Sequence, residues 1–138
     1  MAVSLAIGCG GGGGGDSANG AASKSVFLKK ANAICRQGSA DFSKKAAAVF
    51  REAGSAPELA VRRDLVREAI APMFHSEIRG ISGLEAPPGG ARQVGAILAA
   101  MRRLVIKLEG NPLSRGEYPY RGVEDLAAGY GLSECGHP

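Results

Sequence analysis

Apolar residues recur every three or four positions over four stretches of the chain, which is the spacing of amphipathic α-helices. The first stretch covers about residues 25–53, and basic side chains fall largely between its apolar positions. Those apolar positions are Phe27, Ala31, Ile34, Cys35, Phe42, Ala46, Val49 and Phe50. Gly54 directly follows and predicts the end of the first helix, because glycine accepts the left-handed conformation that closes many helices.

The second stretch begins at a predicted capping box, in which the side chains of Ser55 and Glu58 each accept a hydrogen bond from the other residue's amide. Its apolar positions are Leu59, Val66, Ile70, Met73, Phe74, Ile78, Ile81 and Leu84. Pro72 lies inside this pattern, and because proline lacks an amide hydrogen we expect a kink or a short break near Ala71. A run of Pro and Gly at residues 87–90 ends the stretch.

The third stretch is the most regular, and it ends where residues 110–112 read Gly-Asn-Pro. Its apolar positions are Val94, Ile97, Leu98, Met101, Leu104, Val105 and Leu108. Residues 89–91 read Gly-Gly-Ala, which leaves the start of this helix poorly capped. A short fourth helix is predicted from Val123 to Tyr130, with Gly131 as its C-cap. Its apolar side contains Val123, Leu126, Ala127 and Tyr130.

No stretch alternates convincingly between apolar and polar residues as a strand does, so the predicted fold class is all-α. The connections between the helices are short and rich in Pro and Gly, which favours antiparallel neighbours. We therefore expect an up-down bundle of three long helices plus a short C-terminal helix, stapled by one disulfide.

The first nine residues suggest a processing signal. The segment Leu5-Ala6-Ile7-Gly8-Cys9 resembles the end of a bacterial lipoprotein signal peptide, in which a cysteine preceded by small residues receives a diacylglycerol. No basic residue occurs before Lys24, although signal peptides open with positive charge, so we expect Met1 to be a truncated start. The alternative is that Cys9 is an incidental residue of a disordered cytosolic N-terminus.

These features divide the chain into three parts. We expect residues 1–9 to be a truncated signal peptide with lipidation at Cys9, and residues 10–24 to be a flexible linker rich in Gly and Ser. Residues 25–136 form the predicted helical bundle domain. The glycine run at residues 10–15 is not a phosphate-binding loop, because the required lysine does not follow it.

Two cysteines remain if Cys9 carries a lipid, and an exported protein meets an oxidising compartment. We therefore predict a disulfide between Cys35 and Cys135. The alternative is a metal site built from both cysteines with His137 and His75, but it contains only one close pair, whereas structural zinc sites usually use two. A catalytic Cys–His pair lacks an orienting third residue.

Composition narrows the class of protein. The chain of 138 residues has the size of one domain, and no apolar run reaches the roughly 18 residues of a membrane-spanning helix. The net charge of +4 allows an anionic partner. However, acidic residues interleave with the two basic clusters, at residues 62–68 and 102–109, which is typical of a solvated helix face. No nucleic-acid partner is predicted.

Three further segments complete a resemblance that starts at the Gly-Cys and polyglycine opening. They are Phe27-Leu-Lys-Lys-Ala-Asn-Ala-Ile-Cys35, the segment from Ala71-Pro72 through Leu84 to Pro87-Pro88, and Leu126-Ala-Ala-Gly-Tyr130-Gly-Leu-Ser-Glu-Cys135-Gly136. With these segments the chain resembles a family of uncharacterised small Gly-rich lipoproteins of actinobacterial type. The resemblance implies an exported, lipid-anchored, disulfide-bonded helical domain, and it implies no activity.

The predicted function is accordingly that of a non-enzymatic lipoprotein, anchored through Cys9 at the outer face of the cell membrane, in a binding or structural role. No catalytic residue, metal ligand or cofactor is predicted. The alternative is a carrier with an apolar cleft inside the bundle near Pro72, suited to an apolar or haem-like molecule. Met73, His75 and Met101 would then border the ligand.

Overall fold

The computed structural model describes residues 16–112 and 117–138, and within these residues all regular structure is helical. The α-helices are α1 (Asp16–Ala53), α2 (Glu58–Leu65), α3 (Ala71–Ser82), α4 (Ala91–Gly110) and α5 (Arg121–Tyr130), and a π-helical turn (Val66–Ile70) joins α2 to α3. The predicted all-α class is confirmed. The predicted signal segment, the lipidation site at Cys9 and the glycine run lie outside the described residues.

Helix α1 begins at Asp16, so residues 16–24 of the predicted flexible linker are helical instead. The physical reason is that a packed helix extends without a new nucleation step, and alanine-containing sequence propagates it readily. The helix ends as predicted, with Gly54 in the left-handed region at φ 51°.

The predicted capping box is wrong. Helix α2 begins at Glu58 with Pro57 in the N-cap position, and no side chain caps it. The proline ring disfavours helical geometry for the preceding Ala56, so the helix cannot begin as early as Ser55. Glu58 instead forms an ion pair with Arg62, one turn further along α2.

Pro72 is accommodated by a π turn rather than by a break. In a regular α-helix the carbonyl of Glu68 would need an amide hydrogen from Pro72, which has none. The turn at Val66–Ile70 widens the helix just before the proline, and Ala71 donates to the carbonyl of Val66, five residues earlier. Helical backbone therefore continues from α2 through α3.

Helices α4 and α5 follow the sequence pattern closely. Helix α4 starts after Gly90 without a side-chain cap, as expected from the residues at its start. Helix α5 begins at Arg121 rather than Val123, and it ends as predicted at Gly131, whose φ is 107°. These two helices pack against each other, and α3 packs against both α1 and α4.

One continuous core joins α1, the π turn, α3, α4, α5 and the C-terminal residues, and Leu65 of α2 packs against it. Its largest fully buried hydrophobic side chains are Phe74, Ile81, Ile97, Met101, Leu108 and Leu132. Tyr120 stacks on Phe74, with ring centroids 6.2 Å apart, and so attaches the start of α5 to α3. None of the helices in the described part of the chain has both the length and the apolar character needed to cross a lipid bilayer.

Three apolar positions of the predicted stripes lie at the surface instead. Phe50 is 59% exposed, because the neighbouring Val49 occupies the core-facing position. Leu59 lies in α2, which buries no residue. Leu126 is exposed beside the fully buried Ala127. At each of these positions the apolar pattern covers more of the helix surface than the core does, so it predicts burial for a residue that is exposed.

Two glycines inside helices give a test of how closely α1 and α3 approach. A Cβ at Gly80 on α3 would lie 2.8 Å from Cγ2 of Ile34 on α1, whereas a Cβ at Gly95 on α4 would meet nothing within 4 Å. We expect Gly95→Ala to raise the free energy of unfolding by about 0.5–1 kcal/mol through helix propensity. Gly80→Ala should lower it by about 1 kcal/mol, because overpacking exceeds that gain.

The measurement is urea denaturation of both variants beside the wild type. Equal stabilisation by Gly80→Ala and Gly95→Ala would contradict the close approach of α1 and α3.

Candidate functional site

The most unusual chemistry of the described residues lies where the C-terminal tail, residues 132–138, meets α1 and α3. We call this place the tail site and define it by Cys35, Gly38, Glu77, Cys135 and Gly136. The two cysteines form a disulfide, and the two glycines have no side chain. Glu77 contributes a buried carboxyl group.

The predicted disulfide is confirmed. Cys35 on α1 and Cys135 in the tail are bonded, with their Cα atoms 5.0 Å apart and a sequence separation of 100. Both residues are buried, at 0% and 1% exposure respectively. The bond therefore lies within the core.

The end of α5 directs the tail back towards α1. Gly131 donates to the carbonyls of Ala127 and Ala128, and Leu132 donates to the carbonyl of Ala127 at 2.8 Å. This Schellman arrangement requires a left-handed residue, which glycine supplies. It reverses the chain and places Leu132, which is fully buried, in the core.

Asn32 holds the tail in register one helical turn before Cys35. Its Nδ2 donates to the carbonyl of Gly131 at 3.0 Å, and its Oδ1 accepts from the amide of Glu134 at 3.1 Å. One side chain therefore satisfies a donor and an acceptor of the tail backbone, which has no helix of its own to pair with. The amide contacts and the disulfide fasten the same short segment to α1.

Glu77 is fully buried beneath this segment, and neither of its carboxyl oxygens has a hydrogen-bond partner among the described residues. Its side chain lies against Gly38: a Cβ built there would be 3.0 Å from Oε1 and 3.2 Å from Cγ of Glu77. The absence of a side chain at Gly38 therefore makes room for the carboxyl group between α1 and α3. An unpaired buried charge at such a place is strongly disfavoured.

Burial accordingly raises the pKa of Glu77 to about 8, from an ordinary value of 4.5. The backbone amide of Gly136 is close enough to work against this shift, although it does not reach hydrogen-bonding geometry. At neutral pH the carboxyl group is therefore mostly protonated and uncharged. A carboxylic acid with a pKa near neutrality can bind and release a proton under physiological conditions.

Sequence reasoning missed Glu77 as a candidate. The available signal was its position on the apolar stripe of α3: three residues after Phe74 and four before Ile81. Gly38 likewise follows Cys35 at a spacing of three on the buried stripe of α1. A charged residue at a core-facing position, opposite a small residue on the neighbouring helix, marks such a carboxyl group.

Only two of the three residues proposed to border a carrier cleft, Met73 and His75, line a common groove. Met73 and Met101 are buried in the core, whereas His75 is exposed. A surface groove of about 390 Å³ between α1 and α3 is lined by Met73 and His75 together with Pro72, but not by Met101. The carrier alternative, which requires a cleft inside the bundle, stays a prediction.

The two cysteines of the alternative metal site are not free to bind a metal ion. Both sulfurs are joined in the disulfide, so neither Cys35 nor Cys135 offers a thiolate. Within residues 16–112 and 117–138, no three His, Cys, Asp or Glu side chains are grouped so that they could hold a metal ion.

Arg62 and Arg67 of the first basic cluster pair with acidic residues close to them in sequence. Arg67 contacts Asp64 and Glu68, each at 2.8 Å, and the two acidic side chains are about half exposed. Exposed pairs of this kind contribute little to stability. Their arrangement agrees with the interpretation of this cluster as a solvated helix face.

Comparisons of the chain with protein-family models, with curated proteins and with solved structures find no match.

The disulfide should supply a large share of the stability. For a closed loop of this length the chain-entropy argument gives about 4–5 kcal/mol as an upper figure. We expect the double variant Cys35→Ala/Cys135→Ala to lose about 4 kcal/mol of unfolding free energy in urea denaturation. Reductant should lower the wild type to the same value and leave the double variant unchanged. Two titratable thiols in oxidised Cys9→Ser protein would contradict the pairing.

The buried carboxyl should make stability depend on pH. Well below pH 4.5 Glu77 is protonated in both the folded and the unfolded protein, so its burial lowers the unfolding free energy through no difference in ionisation. As the pH rises towards 8, only the unfolded chain releases the proton, and stability is lost. The unfolding free energy should therefore fall by on the order of 3–4 kcal/mol between pH 5 and pH 8 relative to Glu77→Gln.

Urea denaturation at both pH values measures this difference, in which the contributions of the other titrating groups cancel. The exposed Glu85 gives a matched control, because Glu85→Gln should follow the wild type. The assignment fails if Glu77→Gln has the same pH dependence as the wild type.

Proposed function

We propose that this chain is an exported, lipid-anchored helical domain that works at the outer face of the cell membrane, in a binding or structural role rather than as an enzyme. The buried disulfide between Cys35 and Cys135 is the observation that carries the proposal. Disulfides persist in oxidising compartments and are rare in the cytosol, where thiol systems reduce them. A bond that closes most of the chain into one loop is typical of a structural disulfide.

The anchor in this proposal is a lipid on Cys9. Gly8 supplies the small residue before the cysteine, and six glycines separate Cys9 from Asp16, where α1 begins. Seven extended residues span at most about 25 Å, so the anchor would keep the start of α1 near the bilayer surface. A diacylglycerol carries two acyl chains, which is the number that stable anchoring needs.

The bundle is proposed to run up and down, with α2 and α3 as one long rod between α1 and α4. The short connections at residues 54–57 and 83–90 support this arrangement, because they leave little chain for a crossover. Packing of α3 against α1 and α4, and of α5 against α4, supports it as well.

The packing of the core agrees better with a role of the protein surface than with a carrier role. Met101, which was expected to border a ligand, fills the core, and Met73 is buried beside a surface groove rather than beside a cleft inside the bundle. Methionine commonly fills irregular gaps in cores in this way. A binding partner would therefore contact the outside of the bundle.

The anchor gives a direct test. Intact-mass measurement on the protein from its native host should show a diacylglycerol on Cys9 as the N-terminal residue, and no free thiol at Cys35 or Cys135. The protein should partition into the detergent phase, and Cys9→Ser should move it to the aqueous phase.

A matched control separates the anchor from the disulfide. Cys35→Ser/Cys135→Ser removes two cysteines but keeps Cys9, so this variant should still carry the lipid. An unmodified Cys9 in the aqueous phase of the wild type would refute the proposal.

A further inference from the structure

The C-terminal tail covers Glu77 and contains no helix. Its attachments are the disulfide at Cys135, the burial of Leu132 and Gly136, and the hydrogen bond from the Glu134 amide to Asn32. Of these attachments only the disulfide is covalent. Breaking it leaves a short segment without regular structure that must hold its place through weak contacts.

The tail also fits tightly where it passes Glu77. Gly136 has a φ of 91°, and a Cβ there would lie 2.9 Å from Cγ1 of Val123 and 3.2 Å from the amide nitrogen of Glu124. The same glycine is the part of the tail that influences the Glu77 carboxyl group. Gly136 thus lies between the start of α5 and the buried acid, directly after the disulfide cysteine.

We propose that the tail is a redox-locked lid over a proton-binding site at Glu77. With the disulfide intact, the lid excludes water and the carboxyl group keeps its proton. When a thiol reductant opens the disulfide, the tail lifts, water reaches the carboxyl group, and Glu77 releases its proton to solvent. Reduction of the bond and ionisation of the acid are therefore coupled.

The electrons and protons of the reduction balance. One molecule of dithiothreitol gives two electrons and two protons to the disulfide, which becomes two thiols, and the reductant becomes its own cyclic disulfide. Glu77 loses one proton to water in the same overall change. Between pH 4.5 and 8, reduction of the wild type therefore releases one proton that reduction of Glu77→Gln does not.

No charged neighbour accounts for the raised pKa of Glu77. The ionisable side chains around it on the packed elements lie at or near the surface: Arg36 and Asp41 on α1, His75 and Arg79 on α3, Glu124 on α5, and Glu134 and His137 in the tail. None of them contributes to the raised pKa of Glu77, which follows from burial alone. Opening of the tail would therefore act on Glu77 by reducing its burial.

The experiment is an equilibrium of the full chain carrying Cys9→Ser with reduced and oxidised dithiothreitol, approached from both sides at pH 5.5 and pH 7.5. The fraction of protein dithiol gives the exchange constant. For a carboxyl pKa that falls from about 8 to 4.5 on opening, the constant should rise on the order of fifty-fold between these pH values. With Glu77→Gln in the same background it should stay nearly constant. An equal rise in both proteins overturns the proposal.

A second measurement decides the matter if Glu77→Gln does not fold. In protein with ¹³C-labelled glutamate carboxyls, Glu77 should titrate near pH 8 when oxidised and near pH 4.5 when reduced. Far-ultraviolet circular dichroism should show that the reduced protein keeps its helices. A high pKa retained after reduction overturns the lid, and so does loss of the helices, because the opening would then be global unfolding.

Discussion

The bond between Cys35 and Cys135 is the constraint on which the rest of the structure depends. It joins the first long helix to a tail that has no regular structure, so the elements between them lie inside one covalent loop. The loop fixes which face of α1 is buried, because the cysteine lies on the same stripe as Phe27 and Ala31. The Schellman turn at Gly131 and the amide of Asn32 then serve this closure by directing the tail to the sulfur.

The same closure creates the least favourable feature of the core. A tail that must reach Cys35 also passes over Glu77, and the carboxyl group is buried without a hydrogen-bond partner among the described residues. The protein tolerates this by keeping the acid neutral and by leaving Gly38 without a side chain opposite it. Stability gained from the crosslink and stability lost to the buried acid therefore arise at one place.

Helix content, most helix ends and the cysteine pairing could be predicted from the sequence, because each rests on local rules. The apolar period, Gly54 and Gly131 mark the helices and their ends, and the two cysteines within the predicted helical domain indicate the pair. The start of α1 at Asp16 and the failed cap at Ser55 depend on competition between neighbouring residues, which a motif ignores. The state of Glu77 depends on two segments far away in sequence, so periodicity could flag its position but not its protonation.

Helix α1 begins at Asp16, well before Phe27, which is the first buried residue among the side chains from residue 23 onwards. At 1.5 Å per residue, the stretch from Asp16 to Phe27 forms a rod of about 16 Å that continues directly into the folded body. A rod transmits direction as well as distance, whereas a coil sets only an average separation. Whatever holds the upstream end would therefore also set the angle at which the body is presented to its surroundings.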